Sequence, residues 1–381
     1  MRNFQILIIW IFLKKIDNCV IFKEVMNCTN SGLTDCPGFN NSITTLILDF
    51  NALTNLSTPN CNKWNHIRNL SIRSNHLNSA LNLDVFKSLF QLYLSHNSIT
   101  EITISAPQII TVDISYNSIN SVIITLINLN FLKSFDMNHN NIDQKNLNAL
   151  VKSLLHSNSI SYFDLGYNHL DQITIEFMSF LPKKVNFLGL AGNNFMEFNF
   201  INFKRNLPGS TFELDHLDLS NNKIKNIINQ VKHNIFRLNF SGNQISKIDA
   251  NFLDNFIGLK EIDLSRNPLN CLCNESESFI NWMNKHKDIV VSKNQTLCKF
   301  PSLQPVFNLS CDVLSTTSTL ITSTSPTSTT KTMYTTKITS TTKTMSTTKI
   351  ISTIVVPGTG RPNMQAVIGV SVAIPIILII G

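Results

Sequence analysis

A single eleven-residue pattern, written ten times, limits what this chain can fold into. "LDHLDLSNNKI" from Leu214 is one copy; "ITTLILDFNAL" from Ile43, "IITVDISYNSI" from Ile109 and "LKEIDLSRNPL" from Leu259 are others. All ten copies carry Asn at the ninth position: Asn51, Asn75, Asn97, Asn117, Asn140, Asn168, Asn193, Asn222, Asn243 and Asn267. The first, fourth, sixth and eleventh positions are Leu, Ile, Val, Phe or Met, and successive Asn residues stand 20 to 29 residues apart. The fourth to sixth positions read as a short strand, with the fourth and sixth side chains inward and the fifth outward. One such coil cannot bury its apolar face, whereas stacked coils share a continuous core. Asn is a poor strand former, but it carries a donor and an acceptor on one short side chain. Placed where the strand ends and the chain turns inward, it can satisfy backbone groups of its own coil and of the next.

This pattern, L-x-x-L-x-L-x-x-N-x-L, resembles the leucine-rich repeat family over roughly residues 28–312. The resemblance implies an α/β solenoid, a horseshoe of about ten repeats with a parallel sheet on its concave face and an Asn ladder. Longer repeats are expected to carry outer helices. "IDQKNLNALVKSLLHS", residues 142–157, places Leu147, Leu150, Val151, Leu154 and Leu155 on one helical face. Repeats of 21–24 residues are expected to use turns or short 3₁₀ pieces instead.

The cysteines fall into two groups, Cys19, Cys28, Cys36 and Cys61, then Cys271, Cys273, Cys298 and Cys311. An even count at both ends reads as disulfide-closed caps formed in an oxidising compartment. "NPLNCLCNESESFINWMNKH" with two later Cys resembles the C-terminal cysteine-rich cap of extracellular leucine-rich repeat proteins. That resemblance implies the pairs Cys271–Cys298 and Cys273–Cys311, with Phe279, Trp282 and Met283 turned inward from a short helix. Zinc at Cys-x-Cys fits less well, because metal sites use wider ligand spacing and the chain reads as secreted. "VMNCTNSGLTDCPGFNNSITTLIL" is similar to the end of the N-terminal cap. There we expect Cys19–Cys28 and Cys36–Cys61, the latter 25 residues apart, about one coil. Sequons at Asn27, Asn40, Asn55, Asn69, Asn239, Asn274, Asn294 and Asn308 agree with passage through the secretory pathway.

The ends of the chain point to a membrane surface. "MRNFQILIIWIFLKK" has an early Arg and an apolar run as long as a signal-peptide core. Residues 366–381 carry no charge, but they are shorter than the roughly twenty residues a spanning helix needs. They read either as the tail of a glycosylphosphatidylinositol-anchor signal, with small Gly358, Thr359 and Gly360 upstream, or as a membrane helix cut short. Between them and the repeats, "TTKTMY", "TTKITS", "TTKTMS" and "TTKIIS" belong to a Ser/Thr-rich stalk that cannot bury a core. The expected order is signal peptide 1–18, N-terminal cap 19–42, repeats 43–269, C-terminal cap 270–313, stalk 314–363 and membrane segment or anchor signal 364–381. Formal net charge is +7, but Lys331, Lys337, Lys343 and Lys349 all lie in the stalk, so the balance is no nucleic-acid footprint.

A ligand would meet the third, fifth, seventh and eighth positions, which are expected to face outward from the sheet. In four consecutive repeats the eighth position reads His96, Tyr116, His139 and Tyr167. Beside them stand Tyr93, Tyr162, Asp113, Asp136 and Asp164. A row of exposed aromatic residues suits partner binding, since Tyr supplies contact area and a polar tip at low entropic cost. Sequons at Asn69 and Asn239 would place glycans at the two ends of this face and leave repeats three to eight open. The Asp residues recur at repeat period on a solvated face, where their pKa values are expected to stay ordinary. No nucleophile–base pair, phosphate loop or metal-ligand spacing accompanies them, so neither enzyme chemistry nor a cofactor is expected. The reading is a membrane-anchored recognition or adhesion protein on the outer face of the plasma membrane. Its partner would be an extracellular protein or a glycan, and the fold leaves room for a dimer. The alternatives are the ectodomain of a Toll-like or other signalling receptor, and a secreted enzyme inhibitor lacking both anchor signals.

Overall fold

The structure is a computed structural model that describes residues 14–311, apart from 17, 40, 125–130, 155–158 and 204–211. The expected stalk and C-terminal apolar segment, the first thirteen residues, the sequon at Asn40 and Leu155 lie outside the described residues. No described helix is long and apolar enough to cross a membrane.

A 13-stranded sheet runs the length of the solenoid. It begins with Lys14–Ile16, inside the segment read as a signal peptide, paired antiparallel with Cys19–Phe22, which pairs antiparallel with Val25–Asn27. From there every pairing is parallel and one coil apart, from Thr45–Ile47 to Glu261–Asp263. The strands are short because only the fourth to sixth positions alternate. All twenty fourth- and sixth-position side chains are buried, from Leu46 and Leu48 to Ile262 and Leu264. The core thus forms one layer behind the sheet, with Phe135, Phe163, Phe177 and Phe180 packed ring to ring beneath repeats five and six.

The ten ninth-position Asn residues form the ladder. Asn140 shows the arrangement: its Nδ2 donates to the carbonyls of Met137 in its own coil (3.1 Å) and Ile114 in the coil before (3.0 Å). Its Oδ1 accepts from the backbone N–H of Ile119, also in the coil before (2.9 Å). Asn168, Asn193, Asn222, Asn243 and Asn267 repeat the scheme. The expected direction is therefore corrected: each Asn reaches back to the preceding coil. The loop that leaves its free backbone groups beside the Asn belongs to the coil already laid down.

The outer side departs further from expectation. Helices occupy two of the longer coils, Gln144–Leu154 and Ile175–Phe180. Leu147, Leu150, Val151 and Leu154 are buried, and Thr174 caps the second helix by accepting from Phe177 N (3.2 Å). The coils between Asn75 and Asn140 were expected to use turns. They form instead a second parallel sheet from Asn78–Asn82, Ser98–Ile104 and Ser121–Ile124. The local sequence explains this. "SITEITI" alternates β-branched and polar residues, and Ile99, Ile102 and Ile104 are buried. An extended segment also spans a coil in fewer residues than a helix does.

Four disulfides close the ends: Cys19–Cys28, Cys36–Cys61, Cys271–Cys298 and Cys273–Cys311. In the C-terminal cap the helix Cys273–Lys285 lays Phe279, Ile280, Trp282 and Met283 over the last coil, and Trp282 Nε1 donates to Asp254 Oδ1 (2.9 Å). Solenoids need such covers because an end coil has no neighbour to share its core.

Candidate functional site

The sheet face is built by two local devices. At the fifth position, Asp113, Asp136, Asp164, Asp218 and Asp263 each accept the backbone N–H two residues on, at 2.8–3.2 Å. Asn239 does the same for Ser241 (3.0 Å), so this bond requires a side-chain oxygen and no charge. It turns the strand into the loop. The chain then passes through the eighth position, where all ten residues have φ between +52° and +67°. Gly192, Gly242 and Asn221 suit that left-handed conformation, whereas an aromatic residue there costs roughly 1–2 kcal/mol.

The expectation that the seventh position faces outward holds only in some repeats. Ser95, Ser115, Ala191, Ser220 and Ser265 are buried, because the turn tucks this residue beneath the neighbouring loops. Asp49, Arg73, Asn138 and Ser241 are half-exposed at the same position and join the third, fifth and eighth positions on the face.

In four consecutive repeats the left-handed turn aims the eighth-position side chain along the solenoid, over its neighbour. His96, Tyr116, His139 and Tyr167 form one continuous stack, with centroids 4.3, 4.0 and 4.1 Å apart and planes within 20° of parallel. Tyr167 ends the stack over Gly192, where a Cβ would overlap its ring, and its hydroxyl accepts from Asn221 Nδ2 (3.2 Å). His139 Nδ1 donates to Asn138 Oδ1 (2.8 Å), and burial holds its pKa below the usual histidine value. Tyr116 and Tyr167 remain 43% exposed, as edges and hydroxyls rather than faces.

A second row runs through the third and fifth positions. Tyr162 stacks on Phe187 (4.8 Å), and Phe187 meets His216 edge-on (5.2 Å). Tyr93 carries the guanidinium of Arg73 over its ring (4.2 Å), and Arg73 also reaches Asp113 (3.6 Å) and Asp49 (3.9 Å). The structure thus brings Tyr93, Asp113, Asp136, Tyr162 and Asp164 together with the aromatic stack on one face. Sequence reasoning left out Arg73, Asn138, Phe187, Gly189 and Gly192 from this site. The signals for the glycines were present, since each interrupts a series of larger residues at its repeat position.

The expectation of ordinary Asp pKa values is corrected as well. Asp113, Asp136 and Asp164 lie side by side on adjacent in-register strands. Burial first, and then the charges of Asp164 and Asp113, raise Asp136 to about 7. Asp164 is also raised, by burial first, and Tyr162 is pushed up by burial and by the same carboxylates. A carboxyl whose folded pKa exceeds its unfolded value, about 3.9, adds stability that is full below that value and lost as pH rises through about 7. Asp136→Asn keeps the bonds from Asn138 and creates no sequon. The variant is expected to gain on the parent between pH 5 and pH 8, by on the order of a few kcal/mol at most. His233 works in the opposite sense, since burial among Phe200, Phe203 and Phe256 lowers it to about 4, so variant and parent must be compared at each pH. Parallel urea melts at the two pH values check this, and coincident pH profiles would contradict it.

Among the described residues, the one cluster of metal-type side chains is Asp35, Cys36 and Cys61, and both sulfurs are spent in a disulfide. The solved structures with similar folds are repeat solenoids. One chain of the mouse RP105/MD-1 complex superposes with a TM-score of 0.54 at 18% identity, covering 75% of this chain and 54% of that one. The fold is that of the leucine-rich repeat proteins. The leucine-rich repeat domain of APL1B aligns at 22% identity and a TM-score of 0.48, over 68% of this chain and 76% of that one. Human 5T4 aligns at 16% identity and a TM-score of 0.47, over 79% and 96%. This leucine-rich repeat chain spans only about half the length of the RP105/MD-1 chain it matches. No protein-family model matches the sequence, and no curated protein does.

Proposed function

We propose that this is a cell-surface recognition protein, delivered by the secretory pathway and anchored at its C-terminal end, whose concave sheet face binds an extracellular protein. The observation that carries the reading is the four-ring stack. All four of its residues could take the turn more cheaply as Gly or Asn, as three other repeats do, yet rings are held there in a left-handed backbone. Conformational cost of this kind gathers where function requires it. The stack also favours protein over glycan as the partner. Sugars bind aromatic faces, and here the faces are buried against one another, leaving edges, hydroxyls and imidazole nitrogens to meet polar side chains. Mouse RP105, which shares the fold, is known from a complex with MD-1; for this chain the reading rests on its own face.

In this reading Asn69 and Asn239 carry glycans that frame the open window. Both are half-buried on the sheet face; Asn27 is exposed at the first end of that sheet, in register with Ile47, whereas Asn55, Asn274, Asn294 and Asn308 are exposed elsewhere. The window can be closed deliberately. Asp113→Asn creates the sequon Asn-Ile-Ser in its middle and keeps the bond that the fifth position needs, as Asn239 shows. The glycosylated variant is expected to lose at least about tenfold in partner binding in a cell-surface interaction assay. The double variant Asp113→Asn/Ser115→Ala, which cannot be glycosylated there, should bind nearly as the parent does. Equal binding by both variants would contradict use of this face.

A further inference from the structure

Repeat seven carries Gly189 at the fifth position, where its neighbours carry Asp164 and Asp218 in register on either side. A pocket of about 130 Å³ lies there, lined by Gly189 and by both carboxylates. Phe187 walls it on one side, and Tyr167 and His139 of the stack on the other. The carboxylate of Asp164 and the ring of Phe187 lean over Gly189, where a Cβ would overlap both, so their placement at the pocket requires glycine. The two carboxylates stand on strands two spacings apart, roughly 9–10 Å between backbones. Among the described residues neither is in an ion pair.

The same face shows what fills such a gap. At one end Arg73 lies over Tyr93 and bridges Asp49 and Asp113. At the other Arg237 bridges Asp215 (2.7 Å) and Glu261 (3.8 Å). Both guanidinium groups join acids from different coils, and the first does so against an aromatic ring. The middle pair, Asp164 and Asp218, has the acids and the rings but no cation from the chain itself. We propose that this pocket receives an arginine side chain of the protein partner, its guanidinium held between Asp164 and Asp218 against the ring of Phe187 and the edge of Tyr167. The choice of arginine over lysine follows from its planar fork, which stacks on rings and bonds carboxylates in pairs. The charge of a bound guanidinium would also oppose the rise that burial imposes on the Asp164 carboxyl.

This rests on the reading of the face as a protein-binding surface, but it can be tested without the partner. Saturation-transfer NMR on the full glycosylated chain would compare three probes: N-acetyl-arginine amide, its neutral isostere N-acetyl-citrulline amide, and N-acetyl-lysine amide. The arginine probe is expected to bind with a Kd in the low millimolar range, about tenfold tighter than the other two. Asp164→Asn, which creates no sequon and keeps an acceptor for Gly166 N–H, should weaken it about tenfold, while Glu261→Gln outside the pocket should not. Equal binding of citrulline, tighter binding of lysine, or an unchanged Asp164→Asn protein would each overturn the proposal. If the arginine probe fails while a glycan at position 113 still blocks the partner, the pocket assignment falls and the binding face stands. If the probe succeeds and the glycan has no effect, the pocket stands and the partner-binding reading falls.

Discussion

Asn140→Leu is expected to destabilise the repeat domain by about 3–5 kcal/mol, while the adjacent Asn141→Leu changes stability by less than about 0.5 kcal/mol. The two residues are neighbours in sequence and opposites in environment. Asn140 is buried and bonds the backbone of two coils through Ile114, Ile119 and Met137. Leucine keeps the branching of asparagine but is bulkier, so no cavity is left and any packing cost adds to the loss. What is lost is the partner of one buried N–H and of two carbonyls, each costing roughly 1–3 kcal/mol when left alone. Asn141 is exposed and makes one long bond to Ser118 O (3.5 Å). Because each coil contacts mainly its neighbours, the loss should open the array at repeats four and five rather than weaken it evenly. Urea melts of both variants would show it, and hydrogen exchange would locate the opening. Similar midpoints for the two would mean that the ladder is not what joins the coils.

The fold was legible because one repeat fixes the environment of the next. Given Leu217, Leu219 and Asn222 in one coil, stacking leaves little choice for Leu238, Phe240 and Asn243 in the following one. What escaped were properties set between coils rather than within them. The direction of the ladder depends on which neighbour leaves its loop unbonded, and the eleven letters do not say. The burial of Ser115 and Ser220 depends on the tight turn into the eighth position, which an alternating pattern does not reveal. The outer sheet around Ser98–Ile104 was legible in "SITEITI", but short coils were assigned turns by length alone.

At the site, sequence reasoning found the rings and missed the gaps. His96, Tyr116, His139 and Tyr167 stand out at a fixed repeat position. That they stack into one body follows from their left-handed backbone, which no residue type in the series announces. Gly189 and Gly192 matter through side chains they lack, and only coordinates show what fills the space. The raised Asp136 was missed for a related reason. Periodic spacing suggested three separate solvated acids, whereas parallel register sets them side by side and half buries them.

The central claim is that the stacked rings form the contact surface, and replacing two of them tests it most directly. Tyr116→Gly/Tyr167→Gly removes both tyrosines and leaves His96 and His139 without stacking partners. Glycine already serves the eighth position at Gly192 and Gly242, so the turn geometry is preserved and its strain relieved. Buried tyrosines at an interface centre typically contribute about 2 kcal/mol or more each, roughly thirtyfold in affinity. Their coupling through His139 makes simple addition unsafe, and we take about a hundredfold as the least expected loss. The measurement is binding of the displayed chain to the extracellular protein it captures in a surface-interaction screen, with display level followed in parallel. The account predicts normal display and a loss of binding of at least that size; normal display with undiminished binding would contradict it.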